Sequence, residues 1–136
     1  RDIAKALGVT IGWFLHNAEG SDPDEREYIV RASNRRTLRF SSGITDELLS
    51  PNLRGQLELV LARFPPGATE AEPAYEHQGE EAALILAGAF ELWIGEQCFT
   101  LQEGDSFSFP STTPHRYRNP GKVETVVVWA ITPPSY

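Results

Sequence analysis

Residues 103–121, "EGDSFSFPSTTPHRYRNPG", hold the pattern that decides how the rest of the chain folds. Phe107 and Phe109 alternate with Ser106 and Ser108, the period-two signature of a strand with one face in a core. Pro110 and Pro114 then bracket a fixed bend, because each pyrrolidine ring locks its own φ. His115 follows directly, and Tyr117 stands between Arg116 and Arg118. The two arginines share a face, where they either meet an anionic ligand or pair with surface acids. A strand running into a rigid corner belongs to an antiparallel architecture.

The flanking sequence repeats this texture. Short strand-like runs are "EYIVRAS" (27–33), "RTLRFS" (36–41), "GQLELVLARF" (55–64), "ALILAG" (83–88), "FELWIG" (90–95), "CFTLQ" (98–102) and "VVVWAI" (126–131). Turn-type segments such as "EGD" and "NPGK" separate them, and Pro65-Pro66-Gly67 ends the third run. Many short strands with no helix between them indicate an all-β sandwich or barrel. There is no internal repeat.

Only "RDIAKALGVTIGWFLHN", residues 1–17, reads as helical. Ile3, Ala6 and Leu7 recur at helical spacing and Gly8 is a stop signal. Thr10 caps a second short helix whose Ile11, Phe14 and Leu15 share a face. The polar stretch that follows, with Gly20 and Pro23, is a linker. The expected organisation is a helical segment over 1–17, a linker over 18–27 and a β domain over 28–136.

Composition narrows the function classes. The chain has 136 residues, enough for one core, and a formal net charge of −7. Its basic clusters, Arg35-Arg36-Arg39 and Arg116-Arg118, are short, so as it stands it is not expected to hold DNA, which demands clustered Lys and Arg. No apolar run approaches the ~18 residues of a membrane span. A single cysteine, Cys98, has no internal partner for a disulfide, which fits a reducing cytoplasm. The sequence starts at Arg1 and holds no methionine, so a fragment of a longer protein is expected.

Residues 75–81, "YEHQGEE", supply the remaining candidate ligands. In a straight strand His77 and Glu81 would lie ~13 Å apart. A tight turn brings residues three apart within ~7 Å, and Gly79 admits the positive φ such a turn can need. The corner would aim His77 and Glu81 at one point, with His115 arriving from elsewhere. Two imidazoles and a carboxylate are the set favoured by Fe(II) and accepted by Mn, Ni or Zn. The plain alternative is a solvated turn glutamate and a hydrogen-bonded core histidine.

At these residues the chain resembles the cupins, small double-sheet β-barrels, from Pro66 to Pro133. Gly104, Pro110, His115 and Asn119 fall on the second cupin motif, with Thr112 where glycine is usual. His77, Glu81 and Gly88 fall on the first motif, Tyr75 takes its first histidine position, and Gly67 lies two residues early. Phenol is a poor ligand at neutral pH, its ordinary pKa being ~10, so the usual four protein ligands become three at best. Residues 1–17 resemble the last helices of an XRE-family helix-turn-helix domain. The combination resembles bacterial regulators that join such a domain to a cupin sensor, putrescine-responsive repressors among them.

That resemblance implies a small-molecule effector, a homodimer, and DNA contacts made only by the part upstream of Arg1. The ligand is expected against Tyr75, Trp93, Phe107, Tyr117 and Trp129, near His77, Glu81 and His115, with some of the aromatics serving as plain core. A mononuclear metal-dependent enzyme, oxygenase- or epoxidase-like, is the alternative. A metal-free dimerisation module is the third possibility.

Overall fold

Alternation along strands such as β5, β9 and β10 sorts their side chains into an interior and an outer face. The computed structural model describes residues 23–72 and 78–134. Ten strands follow in order: β1 (Arg36–Arg39), β2 (Thr45–Leu48), β3 (Glu58–Phe64), β4 (Thr69–Glu72) and β5 (Glu80–Ala87), then β6 (Phe90–Ile94), β7 (Gln97–Leu101), β8 (Ser106–Pro110), β9 (His115–Arg118) and β10 (Thr125–Thr132). Six form a sheet in the order β1-β2-β3-β10-β5-β8, and four a second sheet in the order β4-β9-β6-β7. Among the described residues the only helix is one 3-10 turn at Ala32–Asn34. The all-β double-sheet fold is therefore the observed one. The helical segment 1–17 and linker residues 18–22 lie outside the described residues.

The interior fills from both sheets. On β10 the inward set is Val127, Trp129 and Ile131, all buried, while Val126, Val128 and Ala130 are only half-buried. Phe90 on β6 anchors the opposite wall, meeting Phe64 edge-on at 5.1 Å and Trp129 edge-on at 6.1 Å. Each such large apolar side chain contributes roughly 1.5–3 kcal/mol by leaving water.

One segment departs from the sequence expectation. "EYIVRAS" is not a strand: the Glu25 carbonyl accepts from both Tyr28 N and Ile29 N, and Arg31 clasps the Glu25 carboxylate at 2.7 Å. These local bonds win because Tyr28 is 81% exposed and has no core to join. In β3 the inward face is Glu58, Val60, Ala62 and Phe64, and Leu57 and Leu59 look outward. Cys98 is exposed on β7, an edge strand.

Asn119 ties the end of β9 to the loop before β10. Its Nδ2 donates to Phe64 O at 2.9 Å and Val123 O at 2.8 Å, and its Oδ1 accepts from Gly121 N at 2.9 Å. The side chain is fully buried. Asn119→Ala is expected to cost about 2 kcal/mol in a urea unfolding curve, because buried backbone groups lose their partners.

Candidate functional site

Glu81 is the second residue of β5, opposite Phe109 of β8 and Ile131 of β10, and it faces the interior. It is only 2% exposed, and its neighbour Glu80 points the other way into solvent. A lone buried carboxylate is costly, so its partners decide whether it belongs there. Tyr117 OH donates to Glu81 Oε1 at 2.8 Å and Trp129 Nε1 donates to the same oxygen at 3.1 Å. Ser111 Oγ lies 3.4 Å from Oε2. Tyr117 comes from β9 in the four-stranded sheet, so the carboxylate clamps one layer to the other.

His115 enters from the same strand as Tyr117, two residues earlier on the inward face. Its Nδ1 lies 2.6 Å from Thr113 O. A carbonyl only accepts, so Nδ1 carries the proton and Nε2 is the nitrogen turned toward the carboxylate. Nε2 stands 3.8 Å from Glu81 Oε1, too far for a direct hydrogen bond.

The bend from Pro110 to Pro114 sets this geometry. Thr113 N bonds back to Pro110 O at 3.0 Å, and Ser111 N bonds to Gly79 O at 3.0 Å. The latter bond pins the corner before β5 to the corner before β9. Gly79 has φ 150°, and a Cβ there would stand 2.6 Å from Thr132 O, so only glycine fits.

The described site residues divide as follows. Glu81, His115, Tyr117 and Trp129 meet around one point, with Phe107 behind Trp129 at 5.4 Å between ring centroids. Trp93 does not join them. On β6 it is Phe90 and Leu92 that are buried, so Trp93 stands on the outer face, where the Arg116 guanidinium lies 4.0 Å over its ring. Arg118 is likewise outside, 3.5 Å from Glu91. Tyr75 and His77 lie outside the described residues. Ser111 was not anticipated; its place beside Pro110 carried no periodic signal.

Does this set suit a divalent ion? Oε1 of Glu81 already accepts two hydrogen bonds, one for each of its lone pairs. A metal at that oxygen, at ~2.1 Å, would have to displace Tyr117 or Trp129. Among the described residues no group of three His, Cys, Asp or Glu surrounds one point. Oε2 of Glu81 has only the 3.4 Å contact with Ser111, and His77, the third expected ligand, lies outside the described residues.

Family comparison agrees with the fold. The cupin domain model matches residues 60–131, more than half of the chain. The chain belongs to the cupin family. Along 98% of its length this cupin is similar to the HTH-type transcriptional regulator PuuR of Escherichia coli, 26% identical over 135 residues and covering 71% of that protein. It is 28% identical over 97 residues to quercetin 2,3-dioxygenase of Bacillus subtilis, covering 70% of this chain and 28% of that one. The crystal structure of the cupin domain of an XRE-family transcriptional regulator from Enterobacter cloacae superposes with TM-score 0.61 at 22% identity, over 67% of this chain and 97% of that chain. Among the described residues no helix is long and apolar enough to cross a membrane.

Proposed function

We propose that the chain is the effector-binding and dimerising part of a bacterial transcriptional regulator. One observation carries this reading: the similarity to PuuR runs over 135 residues, well past the 60–131 interval that the cupin domain alone accounts for. Residues 1–17 are then the end of a helix-turn-helix domain, 18–27 a linker and 28–136 the sensor. DNA is read by the part upstream.

The effector class follows from the acceptors. A protonated amine donates to Oε2 of Glu81, where Ser111 Oγ is 3.4 Å away, while Tyr117 and Trp129 hold the carboxylate still through Oε1. Phe107 and Trp129 offer the ligand's carbon skeleton an aromatic wall. Tyr75 and His77 are assigned to the same pocket. Binding acts by population shift: the amine must prefer one dimer geometry, and that preference changes how two upstream recognition helices fit their half-sites.

The test uses protein with its upstream residues restored, assayed for operator binding with monoamines, diamines and dicarboxylates. Release or tightening by amines alone is expected. Protein that ignores operator DNA with and without amines would refute the regulator reading. A second reading, an iron- or zinc-dependent enzyme using His77, Glu81 and His115, draws support from the similarity to quercetin 2,3-dioxygenase. Stoichiometric metal in the purified protein, together with aerobic turnover, would establish it instead.

A further inference from the structure

Phe99 of β7 lies opposite Leu92 of β6, in the row of side chains that faces the barrel interior. Leu92 is 1% exposed, whereas Phe99 is 45% exposed. A phenylalanine on an inward row left this open means that the barrel's own side chains stop short of filling it there. The space is a cavity of about 450 Å³, walled by Leu92, Ile94, Phe99, Leu101 and Phe107. It sits at a seam. β7 ends the four-stranded sheet, β8 ends the six-stranded one, and among the described residues no strand pairing joins them.

Cavities of ~300–1,000 Å³ with apolar walls and a few polar groups are the size and make-up that take small organic ligands. Asp105 is the one charged residue among the described residues lining this cavity, and its Oδ2 already accepts from Gln102 N at 2.8 Å. Asp105, Ser106 and Ser108 are exposed and give the cavity a polar edge toward water. Its walls therefore suit an uncharged chain or ring.

The cavity adjoins the carboxylate site. Leu92 and Ile94 pair with Tyr117 and His115 of β9, one strand spacing of ~4.8 Å away. Phe107 stacks on Phe109 at 5.7 Å, and Phe109 lies 4.6 Å from the His115 ring. Phe107 also meets Trp129 edge-on, so the ring that walls the cavity touches a ring that holds Glu81. We infer that this cavity receives the carbon portion of the effector, an aliphatic or aromatic group several carbons long, while the ammonium group of the same molecule meets Glu81. The inference rests on the amine reading above and deepens it by naming what the amine must carry. Selection among amines is then made by apolar length at the β7–β8 seam, and Phe99 is a specificity-determining residue.

Calorimetric titration of straight-chain primary amines, propylamine to heptylamine, tests it, with the n-alkanols of the same lengths as uncharged probes. Each added methylene is expected to tighten binding about fourfold until the chain emerges at the seam and affinity levels off. Glu81→Gln should weaken every amine by a similar factor and leave that step unchanged. Phe99→Ser should flatten it to about twofold or less per methylene. Phe99 is exposed on an edge strand, so the variant should keep the near-UV circular dichroism of wild type; the wild-type series is decisive in any case. Short amines that bind with no gain along the series, or a step indifferent to Phe99→Ser, overturn the inference and leave the amine reading standing. Alkanols that gain the same step, with amines of equal length no tighter than they are, sink the amine reading and leave the cavity as a site for apolar chains.

Discussion

Glu81→Ala is expected to lower stability by about 3–4 kcal/mol, the largest effect of any single change at the site. Tyr117 OH and Trp129 Nε1 lose a buried charged acceptor at 2.8 and 3.1 Å, and hydrogen bonds to charged groups are the stronger kind. A cavity also opens between the sheets, where the carboxylate spanned from β5 to β9. Glu81→Gln should cost only about 1 kcal/mol, because the amide oxygen can still accept from both donors while the amide nitrogen turns toward Ser111. Urea midpoints of the two variants separate these cases. Equal losses would mean that the charge matters to the fold more than the hydrogen bonds do.

Gly88→Ala is the second large effect, expected at about 3 kcal/mol or more. Gly88 directly follows β5 with φ 81°, a conformation that costs an L residue about 1–2 kcal/mol. A methyl group there would also stand 2.7 Å from Glu124 O, 2.7 Å from Thr125 Oγ1 and 2.9 Å from Thr125 Cα. Two of those atoms are backbone and cannot rotate away, and overpacking of this kind adds about 1–3 kcal/mol. Gly95→Ala is the matched control: φ is 59° but nothing lies within 4 Å of the added carbon. It should cost roughly 1 kcal/mol, from the backbone alone. Comparable melting temperatures for the two variants would contradict the steric argument.

The sequence showed the strands that alternate cleanly and concealed those that do not. β8 and β10 carry Phe107, Phe109, Val127 and Trp129 at period two, and both were legible. β2 reads TDEL, β4 reads TEAE and β9 reads HRYR, and none looks like a strand in isolation. Their inward residues include Asp46, His115 and Tyr117, polar groups that a barrel interior accepts only with partners from distant strands. Pairing such as β2 with β3 and β9 with β6 is what makes them strands, and pairing is not local.

The same limit explains Trp93. Its size suggested a ligand wall, but Glu91 two residues earlier shares its face, and a charged partner at period two marks the outside of a strand. Glu81 was legible for a different reason: it matches a family motif whose spacing encodes the corner at Gly79. The motif could not reveal that Tyr117 and Trp129 converge on the same carboxylate oxygen, because β5, β9 and β10 meet only in the folded barrel.

On the proposed reading, Glu81 is an anchored anion that receives a cationic ligand inside the barrel. Isothermal titration of a diamine into wild type and Glu81→Gln tests it most directly, since the amide keeps the shape and removes the charge. Saturable binding by wild type, weakened at least ~100-fold in Glu81→Gln, is the expected result, as a charge-assisted bond becomes a neutral one in a buried site. Equal affinities in the two proteins, or saturable binding only after a metal ion is added, would contradict it.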